Sequence, residues 1–285
     1  MVTIKNSKLT ATINPKGAEL WNLIKNGKEY LWQGNPKYWK GRAYNLFPIC
    51  GGLIDDEFYF NNEKFTLTKH GFAKDTVFSV ESQSDTKAVF LLTNKDITVE
   101  YPFEFEFRVI YELDDDKLNV YYKIKNIGNT DMFCSCGAHE GYALTGDIKD
   151  YCLIFEENDT PIRYLVDGNI LTDKTEALPF EDSKLPLTYD FFDIDALIFK
   201  DHKSRKIELL NQKTGESILV TFKDFDYLLI WTVKDGGYVC IEPWSGLPDT
   251  INSNKKIENK EGITKISQMQ EKEFLHTILI DGKIR

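Results

Sequence analysis

A glutamate near the end of the chain has the surroundings of a proton-transfer group. Glu242 follows the apolar run Val239-Cys240-Ile241 and precedes Pro243 and Trp244. We predict that a strand ends at Glu242, because Pro243 breaks the ladder. A carboxylate desolvated there has a raised pKa and suits general-base catalysis. The alternative is a rim glutamate paired with a lysine; Trp244, whose flat indole can stack on the ring of a ligand, favours the catalytic interpretation.

Four histidines are the other candidates for proton transfer. His70 precedes a glycine, and His139 lies between two nearby glycines, with an aromatic residue close by in both motifs. Glycine beside a polar side chain lets the backbone turn sharply and lets a ligand approach closely. A His-Gly pair alone is nevertheless more often a turn than a site. His202 lies in a charged segment and is expected to be solvated, whereas His276 reads as a structural residue of a late strand.

Metal, phosphate and serine-hydrolase chemistry find little support. Cys134-Ser135-Cys136 followed by His139 places thiols and an imidazole close together, but a structural zinc site needs four ligands and no second Cys/His cluster supplies the rest. The glycine pair Gly51-Gly52 lacks the Lys-Ser/Thr of a phosphate-binding loop, and no Gly-x-Ser-x-Gly motif occurs. We therefore expect no metal and no cofactor.

The elements that must position these residues are strands. Apolar residues alternate with polar ones from Phe103 to Leu113 and again from Leu118 to Ile124, on either side of the acidic turn 114–117. That period of two predicts a pair of half-buried antiparallel strands. Further β-rich runs are predicted at residues 77–80, 89–92, 207–210, 218–222, 227–231 and 238–241.

Many short strands without a convincing amphipathic helix predict an all-β fold, a large antiparallel β-sandwich. No linker or repeat divides the chain, so residues 1–285 are expected to form one domain. Residues 157–190 are rich in loop-forming types and are predicted to pass over one face as an excursion.

Composition limits the partners and the compartment. The net charge of −10 disfavours binding to nucleic acid and to anionic membranes. An odd number of cysteines, five, without a Cys-x-x-Cys pair is typical of free thiols in a reducing compartment. With neither a signal core nor an apolar run long enough to span a membrane, the chain is expected to be cytoplasmic. Exposed edge strands would allow a monomer or a homodimer.

Eight short motifs, in order from about residue 17 to about residue 249, resemble the aldose 1-epimerase (galactose mutarotase) superfamily, and within it the LacX-like branch. They are Gly17-Ala18-Glu19-Leu20, Glu29-Tyr30-Leu31-Trp32, Leu46-Phe47-Pro48-Ile49-Cys50-Gly51, His70-Gly71-Phe72-Ala73, Tyr101-Pro102-Phe103, Gly137-Ala138-His139, Ile230-Trp231-Thr232 and Ile241-Glu242-Pro243-Trp244.

This resemblance implies a β-sandwich of the galactose mutarotase type that binds a free aldose in a cleft on one face. It implies that Glu242 takes the proton of the anomeric hydroxyl while His139 protonates the ring oxygen, without any cofactor. By the same resemblance His70 binds substrate, as does Asp195, for which Asp193 is the rival. Ordinary pKa values of ~6.5 for histidine and ~4.3 for glutamate allow the two charges to coexist at mildly acidic to neutral pH.

Departures from the branch pattern bear on the substrate. Gly52 stands where members of the branch usually carry an arginine, which removes a fork-shaped cation. Arg42 is a candidate replacement, with Asn45 as a further donor to substrate. Glu140 follows His139 where proline is common, and a carboxylate there would raise the pKa of His139.

Trp231, in the seventh motif, is expected to line the same cleft. Two functions remain open: a mutarotase acting on a hexose such as galactose or glucose, and a non-catalytic sugar-binding or sensing protein on the same fold. Retention of both Glu242 and His139 favours the enzyme, because a pure binding protein does not need that pair. A glycoside hydrolase would require a second carboxylate as well placed as Glu242.

Overall fold

The computed structural model describes residues 1–156 and 159–284, and these residues form antiparallel strands joined by turns and short 3-10 helices. The strands are, in chain order, β1 (Val2–Lys5), β2 (Leu9–Asn14), β3 (Glu19–Lys25), β4 (Lys28–Glu29), β5 (Ala43–Leu46), β6 (Glu57–Phe60), β7 (Glu63–Thr66), β8 (Ser79–Gln83), β9 (Lys87–Thr93), β10 (Phe105–Asp114), β11 (Lys117–Asn126), β12 (Met132–Cys134), β13 (Gly137–Ala143), β14 (Tyr151–Phe155), β15 (Arg163–Asp167), β16 (Ile170–Glu176), β17 (Lys184–Pro186), β18 (Leu197–Phe199), β19 (Lys206–Asn211), β20 (Ser217–Thr221), β21 (Tyr227–Trp231), β22 (Tyr238–Trp244), β23 (Thr264–Ile266) and β24 (Glu271–Ile280). The 3-10 helices are Ile54–Asp56, Ala73–Asp75, Ile148–Asp150, Tyr189–Phe192 and Ile257–Asn259.

Two large sheets dominate the fold. One has nine strands in the order β17-β14-β19-β20-β24-β11-β10-β9-β8, and the other has seven in the order β16-β15-β18-β21-β22-β13-β5. Strands β1–β4 form a separate small sheet, as do the pairs β6–β7 and β12–β23. The predicted all-β class and antiparallel sandwich are thus confirmed.

The alternating pattern that predicted the longest hairpin is confirmed. Strands β10 and β11 pair from Phe105–Asn126 to Asp114–Lys117, so the turn between them consists of Asp115 and Asp116. The apolar set of each strand faces one way, and Phe107 and Tyr122 are fully buried, with ring centroids 6.1 Å apart. The hydrophobic gain of that face fixes the register, because a slip by one residue would turn every apolar side chain to solvent.

The main core lies between the two large sheets. Phe107 of the nine-stranded sheet packs there with Ile230 and Ile241 of the seven-stranded sheet. Polar side chains also meet across this layer, since His276 Nε2 of β24 lies 2.9 Å from Glu140 Oε1 of β13. His276 is 0% exposed, which confirms its structural role.

The opposite face of the seven-stranded sheet, which we call the outer face, carries a second apolar cluster. It includes Leu46, Leu229 and Trp244. Alternation therefore separates neighbours in sequence: Ile241 and Ile230 point into the main core, while Leu229 and Trp244 point outward.

The segment predicted as an excursion is more regular than expected. Its strands β15 and β16 form a hairpin at one edge of the seven-stranded sheet, and β17 adds a strand to the edge of the nine-stranded sheet. Its first two residues, 157 and 158, lie outside the described part of the chain.

Two further findings concern the cysteines and the helices. All five cysteines are free thiols, as predicted, and all five are buried. Across residues 1–156 and 159–284, the helices are all too short or too polar to cross a lipid bilayer.

Candidate active site

A cavity of about 400 Å³ opens on the outer face of the seven-stranded sheet. Its volume falls in the range of pockets that hold small organic ligands. The predicted site residues that line it are His70, His139, Asp195, Trp231 and Glu242. These residues come from five separate segments, so the fold brings together most of the set that the sequence singled out.

Glu242 lies inside a strand and not at its end, which corrects the prediction. Strand β22 continues through Pro243 to Trp244, and Glu242 pairs with Leu229 of β21. On its other side β22 pairs with β13 at Ile241–Glu140 and again at Trp244–Gly137, with no pairs between them. Pro243 has no N–H to donate, so it interrupts the ladder locally without ending the strand.

This interruption lies where the two proposed catalytic side chains meet. The register is the same on both sides of the gap, which places His139 directly opposite Glu242. Residues directly opposite each other in an antiparallel pair share a face of the sheet. His139 Nε2 accordingly lies 3.4 Å from Glu242 Oε2, and the side chains are 9% and 2% exposed.

Burial sets the protonation of this pair. Desolvation raises the pKa of Glu242 well above its ordinary value, and nearby Asp195 and Glu140 add to that rise while Lys69 opposes it. Desolvation lowers the pKa of His139 to about 3, helped by the positive charge of Lys69. Both effects favour the neutral form, because a buried charge loses its hydration. Both shifts favour a protonated Glu242 beside a neutral imidazole, the opposite of the charge distribution that the ordinary pKa values allow.

Glu140 does not act on His139 as expected. The two residues are adjacent on β13 and point to opposite faces, so the Glu140 carboxylate lies in the main core against His276. The pKa of His139 is lowered and not raised.

His70 is held rigidly at the cavity wall. Its backbone N–H donates to Gly51 O at 2.9 Å, and its Nδ1 accepts the Gly51 N–H at 3.2 Å. Burial and the neighbouring His139 lower the pKa of His70 well below its ordinary value. The neutral ring must then carry its proton on Nε2, which makes His70 a fixed donor.

The turn that holds His70 requires the glycine that follows. His70 has φ 70° and Gly71 has φ 68°, two consecutive left-handed residues. A Cβ on Gly71 would lie 2.4 Å from Phe47 O, so no side chain fits. The His-Gly pair is thus a turn and a part of the cavity wall at once.

Aromatic rings close the cavity around His139. Trp39 stacks on the imidazole with centroids 4.9 Å apart and an interplanar angle of 26°, and Trp231 meets it edge-on at 5.7 Å. Trp231 was expected here, but Trp39 was not, because it lies in an irregular segment between β4 and β5 that no periodicity marks.

Two charged residues at the cavity wall complete its polar lining. Asp195 lines the cavity and is half-buried, whereas Asp193 is exposed and lies elsewhere, so the structure favours Asp195 over its rival. Lys69 also lines the cavity, and sequence reasoning missed it although it immediately precedes His70.

Arg42 and Asn45 do not reach the cavity, which corrects both expectations. The Arg42 guanidinium lies 3.8 Å from the centre of the Trp21 ring and donates to Trp21 O and to the Gln33 side chain. Asn45 points into the main core and is 1% exposed. Its amide donates to two backbone carbonyls and to Tyr111, and it accepts from the Tyr122 hydroxyl.

The space beside Gly52 is filled by a residue of the β15–β16 turn. A Cβ at position 52 would lie 2.8 Å from Asn169 Cβ, and Asn169 lines the cavity. An arginine could not occupy position 52 without moving that turn. His202, expected to be solvated, is only 5% exposed: its ring lies 5.8 Å from that of Phe222, and its Nδ1 lies 2.9 Å from Ser204 O.

The candidate metal ligands differ from those weighed in the sequence. Within the described residues, one group of His, Cys, Asp and Glu side chains could hold an ion: His139, Cys240 and Glu242, whose ligand atoms lie within 4.8 Å of one another. Cys134 and Cys136 are outside this group.

Comparison with known proteins agrees with the motifs. The profile of the family described as aldose 1-epimerase matches residues 1–264. A LacX protein of Lactococcus lactis subsp. lactis is 31% identical over 283 residues, covering 93% of this chain and 94% of that protein. A galactose mutarotase related enzyme from Lactobacillus acidophilus is 30% identical, with a TM-score of 0.91 over 98% of this chain and 96% of that one. A galactose mutarotase-like protein from Lactobacillus casei is also 30% identical, with a TM-score of 0.91 over 98% and 99% of the two chains.

Proposed function

The chain belongs to the aldose 1-epimerase family, and on that premise we propose that it is a mutarotase that interconverts the α and β anomers of a free hexose such as galactose or glucose. The observation that carries the proposal is the contact between His139 Nε2 and Glu242 Oε2 at 3.4 Å, on the floor of a cavity of sugar-binding size. Mutarotation needs one acid, one base and groups that hold hydroxyls, and this cavity offers all three.

In the proposed reaction Glu242 removes the proton of the anomeric hydroxyl while His139 gives a proton to the ring oxygen. The bond between the anomeric carbon and the ring oxygen breaks, and the aldehyde rotates. Closure from the other face returns both protons. His70 donates from Nε2 to a substrate hydroxyl, Asp195 accepts from another, and Trp231 packs against the ring.

Burial favours one of the two protonation states through which this cycle passes. When the ring is open, Glu242 has gained a proton and His139 has lost one. Desolvation favours that same distribution, a protonated Glu242 beside a neutral His139. The closed-ring complex that is ready to react needs the opposite one, so the site holds this charged pair at a higher free energy than the neutral pair.

The test is anomer exchange, followed by NMR or polarimetry, on a panel of aldoses with the purified protein. Glu242→Gln and His139→Asn should each lower kcat about 10²–10⁴-fold, the usual contribution of a positioned acid or base. Glu63→Gln and His202→Asn are matched controls, because Glu63 is exposed and neither residue lines the cavity.

Two outcomes would overturn the proposal. Wild-type rates no faster than buffer on every aldose, together with measurable sugar binding, would favour the non-catalytic binding protein. Equal rates in wild type and Glu242→Gln would remove Glu242 from the mechanism.

A further inference from the structure

A thiol adjoins the acid–base pair and has no part in the proposed proton transfers. Cys240 lies two residues before Glu242 on β22, so the two side chains share the outer face of the sheet. Across the strand gap, His139 of β13 projects from the same face. Their ligand atoms, one imidazole nitrogen, one sulfur and one carboxylate oxygen, all lie within 4.8 Å of one another.

The distances between these three ligand atoms approach those in a zinc centre. Zinc binds nitrogen and oxygen at about 2.0–2.1 Å and sulfur at about 2.3 Å in a tetrahedron, which separates the ligand atoms by roughly 3.3–3.6 Å. His139 Nε2 and Glu242 Oε2 already lie 3.4 Å apart. Side-chain rotation of about 1 Å would bring the sulfur into the same range, while the central strands hold all three backbones in place.

An independent observation marks the centre as able to take a ligand. The imidazole of His139 is 8% exposed as a residue, and its Nδ1 has no hydrogen-bond partner among the residues that the structure describes. Cys240 is a free thiol, fully buried. Because Nδ1 has no competing partner among these residues, the neutral ring can carry its one proton there and offer the Nε2 lone pair, which lies beside Glu242, to a metal ion.

The donor set selects the metal. Thiolate and imidazole favour Zn²⁺ over Mg²⁺ or Ca²⁺, which require oxygen ligands. Three protein ligands leave one tetrahedral position free, and both His139 and Glu242 line the cavity, so that position faces the place of the substrate.

We propose that His139, Cys240 and Glu242 form a Zn²⁺-binding centre, and that zinc and sugar compete for it. Binding releases the thiol proton of Cys240 to solvent, because zinc is held by the thiolate. A bound zinc ion occupies the lone pairs that the proposed proton transfers need, so it inhibits. Inhibition rests on the proposed function, whereas the binding of zinc does not.

Binding is measured first, without reference to activity. Cd²⁺ serves as the spectroscopic probe, because a cadmium–thiolate bond gives a charge-transfer band in the ultraviolet. Wild type and the matched control Cys152→Ala, which removes a buried cysteine of the other large sheet, should show a band that saturates at one Cd²⁺ per chain and that Zn²⁺ displaces. Cys240→Ala should lose the band. Cys240→Ser, which keeps the size of the side chain, provides the same test if the alanine variant does not fold.

Absence of the band in wild type, or its persistence in both Cys240 variants, would overturn the centre. Inhibition is measured next as the Zn²⁺ concentration that halves the anomer-exchange rate, each variant being compared with its own rate in a chelator. Loss of Cys240 should raise that concentration at least ~10-fold, since even loss of a residue that only supports a ligand costs 10–100-fold in affinity. Raising the sugar concentration should relieve inhibition in wild type.

The two proposals fail in different ways. A wild-type band that depends on Cys240, in a protein without mutarotase activity, supports the zinc centre and refutes only the enzyme. An active enzyme that gives no band, or whose zinc sensitivity is the same in Cys240→Ala, refutes the zinc centre alone.

Discussion

Replacing His276 with phenylalanine should destabilise the protein by about 3–5 kcal/mol, because it leaves the Glu140 carboxyl buried without its partner. His276 Nε2 lies 2.9 Å from Glu140 Oε1, with side chains 0% and 2% exposed. Glu140 Oε2 has no other partner among the described residues, so no second bond compensates. Phenylalanine keeps the ring stack on Tyr122, whose centroid lies 5.7 Å away, and little packing is lost.

The double variant Glu140→Leu/His276→Phe provides the control. It removes both polar partners, and replacing a buried polar pair with apolar residues is often nearly neutral. Its cost should therefore be smaller than the sum of the two single variants by at least ~2 kcal/mol, the kind of coupling that contacting residues show.

The assay is reversible unfolding in urea, supported by thermal melting. An unfolding entropy of ~2.1 cal/mol/K per residue over 285 residues is ~0.6 kcal/mol/K, so the single His276→Phe variant should lower Tm by about 5–8 °C. The reaction rate per folded molecule should stay within about threefold of wild type, because Glu140 faces away from His139. A single-variant cost below ~1 kcal/mol, or strict additivity in the double variant, would refute the stabilising role of this hydrogen bond.

Three further predictions follow from the site. The pKa of His139, lowered to about 3, means that the ligand-free pair takes a second proton only near that pH, so kcat/KM should show no loss on the acid side above pH 4; a loss centred near 4.3, the ordinary glutamate value, would contradict this. Lys69→Met removes the positive charge that lowers the pKa of both His139 and Glu242, so the pH–rate profile should move to higher pH, and an unchanged profile or a shift to lower pH would exclude that charge effect. Asn45→Ala leaves buried partners unsatisfied and should lower the free energy of unfolding by about 2–4 kcal/mol with KM unchanged; a raised KM at full stability would restore Asn45 to the substrate site.

Alternation of apolar and polar residues was sufficient to predict the class of fold. Strands β10 and β11 each bury a whole face, so their pattern is unambiguous in the sequence. The same alternation puts Glu242 and Cys240 on one face of β22. The expectation of one domain over residues 1–285 stays a prediction.

The wrong predictions came from local sequence rules that tertiary contacts override. The rule that proline ends a strand fails at Pro243, because only the ladder toward β13 is interrupted while the pairing with β21 continues. Residue type alone predicts that Arg42 and Asn45 bind substrate, but in the fold each donates to backbone carbonyls of the chain. Neither type nor spacing reveals which face of a short strand or loop a side chain takes.

The cavity walls were the least predictable part of the site, for a physical reason. Trp39, Lys69 and Asn169 come from loops and turns, which carry no periodicity, and they meet only because distant strands bring them together. The acid–base pair, by contrast, lies on central strands whose pattern is strong.

The central strands and the cavity walls differ in how freely their residues can be substituted. A single strand, β13, serves two tasks through alternation: His139 faces the cavity, and Glu140, its neighbour, faces the core. Chemistry and stability thus depend on the same central strands, so a substitution that unfolds such a strand removes both. The walls are free of that constraint, because the turn at Asn169 can move or change without breaking a central ladder. Substrate choice should therefore change more readily than the acid–base pair, and Gly52, with Asn169 packed against it, lies in this less constrained wall.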